Sequence, residues 1–362
     1  MKAIVADRGI INRFANLASG KSIGRGTKIK EVPKPTISSR EVLIKVRATA
    51  INPIDYKFID FIAPAGSLTG CDFAGEVVEV GADAPGDWRV GDRAAGFVQG
   101  GVSSDYGAFA EYVKAEADLV WKVPAGLSDQ EAATYGVSAV TAMQALNLHL
   151  GVPWVDEITD TNTAEKKGAP IFIYAGSSTV GLFAIQIAKK AGYTVVTTAS
   201  PHSFDLVKRY GADDVFNYRS DTAIRDITKA FPDITTALDC FSEGSSTDFC
   251  ANVIKKRGGK FITLLDSGKT KIPGVEVQMI MSFQLLGRSF AWLPPIGPKY
   301  PASEKDRQAL ARFYASLPNH VGDIKPPPLK VLDGNFDRIT EALDQLRAGK
   351  VSGSKLVVNF SK

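Results

Sequence analysis

Residues 173–192 read IYAGSSTVGLFAIQIAKKAG. An apolar strand end runs into a glycine turn, and the turn runs into an amphipathic helix. Leu182, Phe183, Ile185, Ile187 and Ala188 fall at helical spacing and face a sheet. Lys189 and Lys190 stand near the C-terminus, where the helix dipole favours cations. Dinucleotide-binding units open in this order, but the usual G-x-G-x-x-G is reduced here to Gly176 and Gly181, with Ser177, Ser178, Thr179 and Val180 between them. Unpaired N–H groups at the helix start make a seat for a pyrophosphate, and three hydroxyls add donors. So short a motif also fits a plain strand–turn–helix unit with no ligand.

The sequence downstream keeps the same alternation. Strand-like runs at 171–174, 194–199, 214–218, 236–241 and 260–265 are separated by helical patterns at about 180–191, 203–210, 221–230 and 246–256. Continuous apolar strands alternating with helices predict a parallel sheet covered on both faces. A NAD site places an acidic residue about 20 positions after the turn to hold the ribose 2′-hydroxyl. Here that place is Ser200, followed by Pro201, His202 and Ser203. Hydroxyls and backbone N–H groups suit a 2′-phosphate, whereas a carboxylate repels one. Tyr218 and the basic pair Lys208 and Arg209 are further candidates, so the cofactor predicted is NADP(H). Ser200 also reads as a helix N-cap, and both roles can hold together.

Upstream the pattern changes. The runs 42–51, 74–81, 92–98 and 108–115 carry β-branched and aromatic residues between Gly, Pro and Asp breaks, as an all-β barrel with tight corners would. MKAIVADRGI reads as a first strand, because it lacks the apolar stretch of a secretory signal. Ser128 and Glu131 form a capping box for a helix predicted through about Leu150. Residues 152–169 read as an exposed polar loop. The C-terminal part adds a helix at about 336–348 and a last strand at 355–360.

With 362 residues, 44% hydrophobic and 23% charged, the chain has an ordinary soluble composition and enough length for two domains. Its balance of 43 basic and 39 acidic residues, net +4, includes no block that reads as a nucleic-acid footprint. No apolar run is long enough for a membrane span. Cys71, Cys240 and Cys250 are odd in number and form no C-x-x-C, which fits a reducing cytoplasm. His149, His202 and His320 lie far apart and predict no histidine metal site.

Seven pieces of sequence resemble one family when taken in order. They are INPIDYK (51–57), GCDFAGEVVEVG (70–81), WRVGDRAAG (88–96), GAFAEY (107–112), AGSSTVG (175–181), YGADDVFNY (210–218) and SGSKLVV (352–358). The chain resembles the medium-chain dehydrogenase/reductase superfamily, in its zinc-independent quinone reductase and enoyl reductase branch. ASPHSFDLVK (199–208) and LDCFSE (238–243) are especially similar to fungal ToxD-like trans-acting enoyl reductases. The resemblance implies an α/β fold. A GroES-like β-barrel catalytic domain is built from residues 1–130 and 301–362, a Rossmann NADP(H)-binding domain from 131–300, and the active cleft lies at their junction. Zinc-dependent members carry ligands where this chain has Asn52, Cys71–Asp72 and about Tyr135, and the four-cysteine structural zinc run is absent. One thiol and one carboxylate do not complete a tetrahedral zinc site, so no metal is expected.

The resemblance also assigns roles. Lys57 stands near the nicotinamide ribose and is the first catalytic candidate, although a surface lysine after a turn reads the same way. Tyr56 is a candidate polar contact, and Asp55 braces the loop beside the cofactor. INPID is expected to be an extended turn. Thr141 matches a threonine close to the nicotinamide, Leu264 and Leu265 line the cofactor by backbone, and Val351 and Ser352 match a cofactor-contacting turn. Residues 58–66, 135–142 and 285–297 form the substrate walls, where Phe61, Phe290 and Trp292 point to an apolar electrophile unless they are ordinary core. The function implied is hydride transfer from NADPH to an activated C=C bond of an enoyl, enone or quinone substrate. A polyketide synthase is the partner if the enzyme acts in trans, and the enzyme is a monomer or homodimer. Reduction of an aldehyde or ketone, and a non-catalytic NADPH-binding role, stay open at this stage.

Overall fold

The computed structural model describes residues 1–20, 22, 24–158, 168–266, 270–292 and 297–360. The chain divides into two units. One holds Met1–Val137, Phe283–Pro318 and Pro328–Lys362, and the other holds Ser138–Ser282 and Asn319–Pro327.

The second unit is built on six strands. In spatial order they are Asp214–Asn217, Thr194–Ala199, Pro170–Tyr174, Thr236–Asp239, Gly259–Thr263 and Val275–Met279. Every neighbouring pair is parallel. The strand order reverses beside Pro170–Tyr174, and in open α/β sheets ligands bind at the carboxyl ends of the strands at such a reversal. The helix Thr179–Lys190 buries Leu182, Phe183, Ile185, Ile187 and Ala188, the residues whose spacing predicted its inner face. Lys189 and Lys190, in its last turn, pair with Asp213 at 2.5 Å and Asp323 at 2.7 Å.

The first unit carries a seven-stranded sheet in the order Leu329–Asp333, Lys355–Asn359, Glu41–Ala50, Asp72–Val80, Arg93–Phe97 and Val120–Lys122, with Tyr112–Glu116 also paired to Glu41–Ala50. Strand Lys355–Asn359 lies antiparallel to Glu41–Ala50, which seats the chain's last strand beside its early ones. Val42, Ile44, Phe73, Val77, Val113 and Val120 share one core.

Three local readings need correction. Ser128 and Glu131 do form the capping box, but the helix after it is Asp129–Ala132, followed by a 3-10 turn Ala133–Tyr135. The chain breaks at Gly136 and restarts as Val137–Met143, then a π turn Gln144–His149. The Asp72 carboxylate occupies the space a Cβ on residue 136 would need, and its Oδ1 accepts the Val137 N–H at 2.7 Å. A carboxylate at that point starts a new helix rather than continuing the old one. INPID is not extended either: Pro53–Lys57 is a short helix N-capped by Asn52. Finally, the segment after the first strand, Lys2–Ala6, folds into the helix Ile10–Ser19. In the polar stretch 152–169, Val155–Glu157 makes one 3-10 turn, and residues 159–167 lie outside the described residues. Among the described residues no helix is long and apolar enough to cross a membrane.

Candidate functional site

In the parallel-sheet unit the glycine turn follows strand Pro170–Tyr174. A Cβ on Gly176 would collide with Thr197 Oγ1, and one on Gly181 would stand 2.6 Å from the Ala175 carbonyl oxygen. Both glycines are therefore demanded by close backbone approach, and G-x-x-x-x-G is what this turn requires. Ala175 is left-handed, with φ +58. Ser178 N-caps the helix, its hydroxyl accepting from Gly181 N–H at 3.0 Å. The Thr179 hydroxyl lies 2.9 Å from that of Ser138, and Thr141 is buried one turn further along the helix Val137–Met143. Ser177, Thr179 and Val180 are half-buried at the helix start.

Ser200 and Tyr218 follow the carboxyl ends of the next two strands in the sheet. The Ser200 hydroxyl makes no capping bond and accepts instead from Arg219 Nη1 at 3.0 Å. The Arg219 guanidinium lies over the Tyr218 ring, 4.7 Å from its centroid. Arg219 is exposed and meets no carboxylate among the described residues. Pro201 and His202 are exposed, whereas Ser203 is buried with its N–H on the Ser200 carbonyl at 2.8 Å. Lys208 and Arg209 stand in the last turn of helix Phe204–Arg209. Arg219 was not among the sequence candidates. Its signal was present as a cation directly after the candidate Tyr218, at the carboxyl end of a parallel strand.

Across the same edge, the buried Asp239 carboxylate accepts the Phe241 and Ser242 N–H groups at 3.0 and 2.9 Å and the Ser246 hydroxyl at 2.7 Å. Ser242, left-handed at φ +57, accepts the Leu264 N–H at 2.8 Å on its hydroxyl. Leu264 is thereby fixed through its amide, and half-buried Leu265 follows it.

The barrel unit holds the other candidates on two segments. Tyr56 and Lys57 end the helix Pro53–Lys57, both half-buried, and the Arg347 guanidinium lies 5.9 Å from the Tyr56 ring centroid. Val351 packs into the core with Ile51 and Leu356, and Ser352 is exposed in the turn before the last strand. Phe290 and Trp292 join one aromatic cluster, with Phe283 6.2 Å from Phe290 and Phe58 5.4 Å from Trp292. The Trp292 indole N–H is buried without a partner among the described residues. Phe61 is half-buried, and residues 293–296 of the proposed wall lie outside the described residues.

Under the helix lies a cluster of polar side chains that sequence reasoning saw only in pieces. Asn52, Asp55, Cys71, Asp72 and Lys355 are each at most 3% exposed. The Lys355 ammonium donates to Asn52 Oδ1 and stands 3.5 Å from Asp72 Oδ2. Asn52 Nδ2 donates to Asp72 at 2.8 Å, and Asn52 N–H donates to Asp55 Oδ2 at 2.7 Å. Burial, reinforced by the Asp72 charge, pushes the Asp55 carboxyl up to about 7. Burial also raises Asp72, against Lys355 and the N–H donors that favour its charged form, and burial lowers Lys355. The Cys71 thiol, against Asp55 and Asp72, is pushed well above its ordinary range by burial first. Asn52, Cys71 and Asp72 are, with Tyr135, the positions that the resemblance set against zinc ligands. The residues present do not fit a zinc ion, since an amide and a carboxylate already enclose a lysine ammonium, and Tyr135 is packed edge-on against Trp121. Among the described residues no three His, Cys, Asp or Glu side chains group to hold a metal.

Two family models match the sequence, the alcohol dehydrogenase GroES-like domain over residues 38–125 and the zinc-binding dehydrogenase domain over 179–287. The trans-enoyl reductase ACTTS2 of Alternaria alternata is 36% identical over 339 residues, covering 91% of this chain and 94% of its own. The trans-enoyl reductase fsa3 of Fusarium sp. (strain FN080326) is 36% identical over 89% of this chain and 92% of its own. Among solved structures, the quinone oxidoreductase from Coxiella burnetii aligns with TM-score 0.66 and 24% identity over 99% of both chains. The CurK enoyl reductase aligns with TM-score 0.70 and 19% identity over 98% of this chain and 99% of its own.

Proposed function

The chain belongs to the medium-chain dehydrogenase/reductase family, in the group of the trans-enoyl reductases, and on that premise we propose that it is an NADPH-dependent reductase of C=C bonds conjugated to a carbonyl. The proposed substrate is an apolar enoyl thioester presented by a polyketide synthase in the cytoplasm. The observation that carries the reading is the row of donors at the carboxyl ends of three neighbouring parallel strands. The backbone of Gly176–Gly181 seats the pyrophosphate. Ser200, Tyr218 and Arg219 take the 2′-phosphate, with His202 at the rim, because a guanidinium fork and a hydroxyl match its oxygens and no carboxylate pairs with that guanidinium among the described residues. Thr141, Leu264 and Leu265 are proposed for the nicotinamide end, and Lys57, Tyr56, Val351 and Ser352 of the barrel unit are the residues that the family resemblance assigns to it.

NADPH supplies the hydride when bound, and the protein supplies orientation and electrostatics. The carbonyl oxygen gains charge as the conjugated bond is reduced, so it needs a preorganised donor. Lys57 is proposed to orient the nicotinamide through its ribose, the Tyr56 hydroxyl is the donor proposed here, and the aromatic cluster around Phe58, Phe283 and Trp292 is the apolar wall. No metal is assigned a part, because Asn52 and Asp72 already hold the Lys355 ammonium.

The test is a panel of enoyl thioesters, enones, quinones and aldehydes, followed by the loss of NADPH absorbance. Turnover is expected to be fastest on an enoyl thioester. Oxidation of NADPH by aldehydes alone would replace this reading with carbonyl reduction, and no oxidation by any member would make the chain a binding protein.

A further inference from the structure

Helix Pro53–Lys57 has five residues and runs on into a π turn, Phe58–Ile62, that buries Phe58, Ile59, Asp60 and Ile62. One turn of helix in isolation fixes more backbone than its hydrogen bonds repay, so its place must come from tertiary contacts. At the far end Asp60 pairs with Arg8 and Arg347, and at the N-terminus the contacts converge on Asn52, whose polar atoms are all engaged. Its N–H donates to Asp55 Oδ2, its carbonyl accepts the Asp55 N–H at 3.1 Å, its Nδ2 donates to Asp72, and its Oδ1 accepts from Lys355. Lys355 arrives from the opposite end of the chain, 303 positions away. It is the first residue of the last strand, and it directly follows the turn that holds Val351 and Ser352. The next residue, Leu356, accepts the Ile51 N–H at 2.9 Å, so backbone and side chain tie the two segments at the same point. The Lys355 ammonium is 2% exposed and reaches no solvent role. A lysine costs more than an apolar residue to bury, so a purely structural filler has no need of its charge.

We propose that Lys355 is a positioning residue for the reduction: clamped by Asn52 and Asp72, it fixes the N-cap of Pro53–Lys57 and so sets where Lys57 stands. The proposal rests on the reading of Lys57 as an orienting residue of the active site. It assigns no contact with substrate or cofactor to Lys355 itself. The ammonium acts as an internal cation in the place where zinc-dependent relatives gather metal ligands, and what it organises is a helix.

Lys355→Met alone leaves Asp72 buried without its counter-charge and can fail to fold. The Asp72→Asn/Lys355→Met pair removes both charges together and keeps the volumes, so it carries the test. Three readouts are needed: thermal melting, amide hydrogen exchange over residues 53–58, and steady-state kinetics with and without Lys57→Ala. The pair is expected to melt within a few degrees of the parent, and the amides of Asp55–Phe58 to exchange faster while those of Leu356–Asn359 keep their protection. Its kcat should fall about tenfold, roughly 1.4 kcal/mol, with KM for NADPH within about twofold, a split that belongs to lost orientation rather than lost binding. In the Lys57→Ala background the pair should cost less than about twofold more, because both changes remove the same orientation. Parental protection at 53–58, parental kcat, or a loss that adds in full to that of Lys57→Ala would each reduce Lys355 to a structural residue. Parental turnover by Lys57→Ala alone would overturn the reading of Lys57 itself, and with it the function given to Lys355, whatever the exchange rates.

Discussion

The two polar regions of this molecule are built in opposite ways. In the barrel unit, Asn52, Asp55, Asp72 and Lys355 are buried and bonded to one another, although Asp55 Oδ1 has no hydrogen-bond partner among the described residues, and burial is the first cause displacing the ionisation of Asp55, Asp72 and Lys355. In the parallel-sheet unit, the Ser200 hydroxyl and the Arg219 guanidinium bond each other, the guanidinium lies over an aromatic face, and Arg219 is exposed at the sheet edge. Each buried polar group is costly unless paired, so the first region is suited to holding backbone in place. An exposed guanidinium without a carboxylate is suited to receiving an anion. The closed region positions and the open region binds, and perturbing them should have different signatures.

The largest effect is expected in the closed region, on stability. Asp55 has a folded-state carboxyl raised to about 7 from 3.8, by burial and by the Asp72 charge. The unfolded chain releases that proton from about pH 4 upward, while the folded chain keeps it until about pH 7. The unfolded state therefore binds fewer protons across this window, and stability falls as pH rises through it and levels off above. Asp55→Asn keeps an acceptor for the Asn52 N–H and removes the titration. Cys71, Asp72 and Lys355 face the same carboxyl and remain in the variant. The unfolding free energies of variant and parent, followed by melting at each pH, should coincide near pH 4 and diverge through pH 7, by at most about 4 kcal/mol in favour of Asn. Parallel melting curves across pH 4–8 would mean that Asp55 ionises freely in the fold and that the region is not closed.

The next effect is on rate. Lys57 is half-buried at the end of the helix that the closed region holds. Lys57→Ala is expected to cut kcat/KM for NADPH-dependent reduction by about 100-fold, or ~2.7 kcal/mol, without moving the melting temperature by more than a degree or two. Turnover within about threefold of the parent (~0.65 kcal/mol) would leave the closed region with nothing to position, and the orienting residue would have to be sought at Tyr56 or Thr141.

What the sequence disclosed about the two regions also differs. The parallel sheet was legible because its information is local: strand, turn and helix follow one another, and the burial of Leu182, Phe183 and Ile185 repeats their spacing. Gly176 and Gly181 likewise meet backbone and side chains of their own βαβ unit. The closed region was legible only as residue types. Asn52 and Cys71–Asp72 could be set against a family pattern, but their partner Lys355 enters from 303 positions away, and no local rule connects them. The break at Gly136 has the same origin, since the carboxylate that restarts the helix lies 65 positions earlier. The helix Ile10–Ser19 was missed for another reason. Its outward face carries exposed Ile10, Ile11, Phe14 and Leu17, while buried Asn16 donates to the Asp60 carbonyl at 2.9 Å. Its amphipathic pattern is inverted, so a reading that assigns apolar residues to the core points it the wrong way.

The smallest expected effect is on cofactor choice, and it addresses the open region directly. If Ser200 and Arg219 receive a 2′-phosphate, the parent should bind NADPH at least about tenfold more tightly than NADH, ~1.4 kcal/mol. Arg219→Ala removes the fork and should bring the two dissociation constants together by weakening NADPH alone. The NADH affinity should hold, because a 2′-hydroxyl makes no comparable demand on a guanidinium. Ser200→Asp goes further by placing a carboxylate where the phosphate would sit, and should invert the preference toward NADH. Titration of both cofactors against parent and variants, at two salt concentrations, separates a specific fork from general attraction: a diffuse effect of charge would fade with salt for both cofactors, whereas a bidentate contact persists for NADPH. Equal affinities in the parent, or an equal loss of both cofactors in Arg219→Ala, would mean that the exposed guanidinium is a solvated surface group and that the contrast between a closed and an open region describes packing alone.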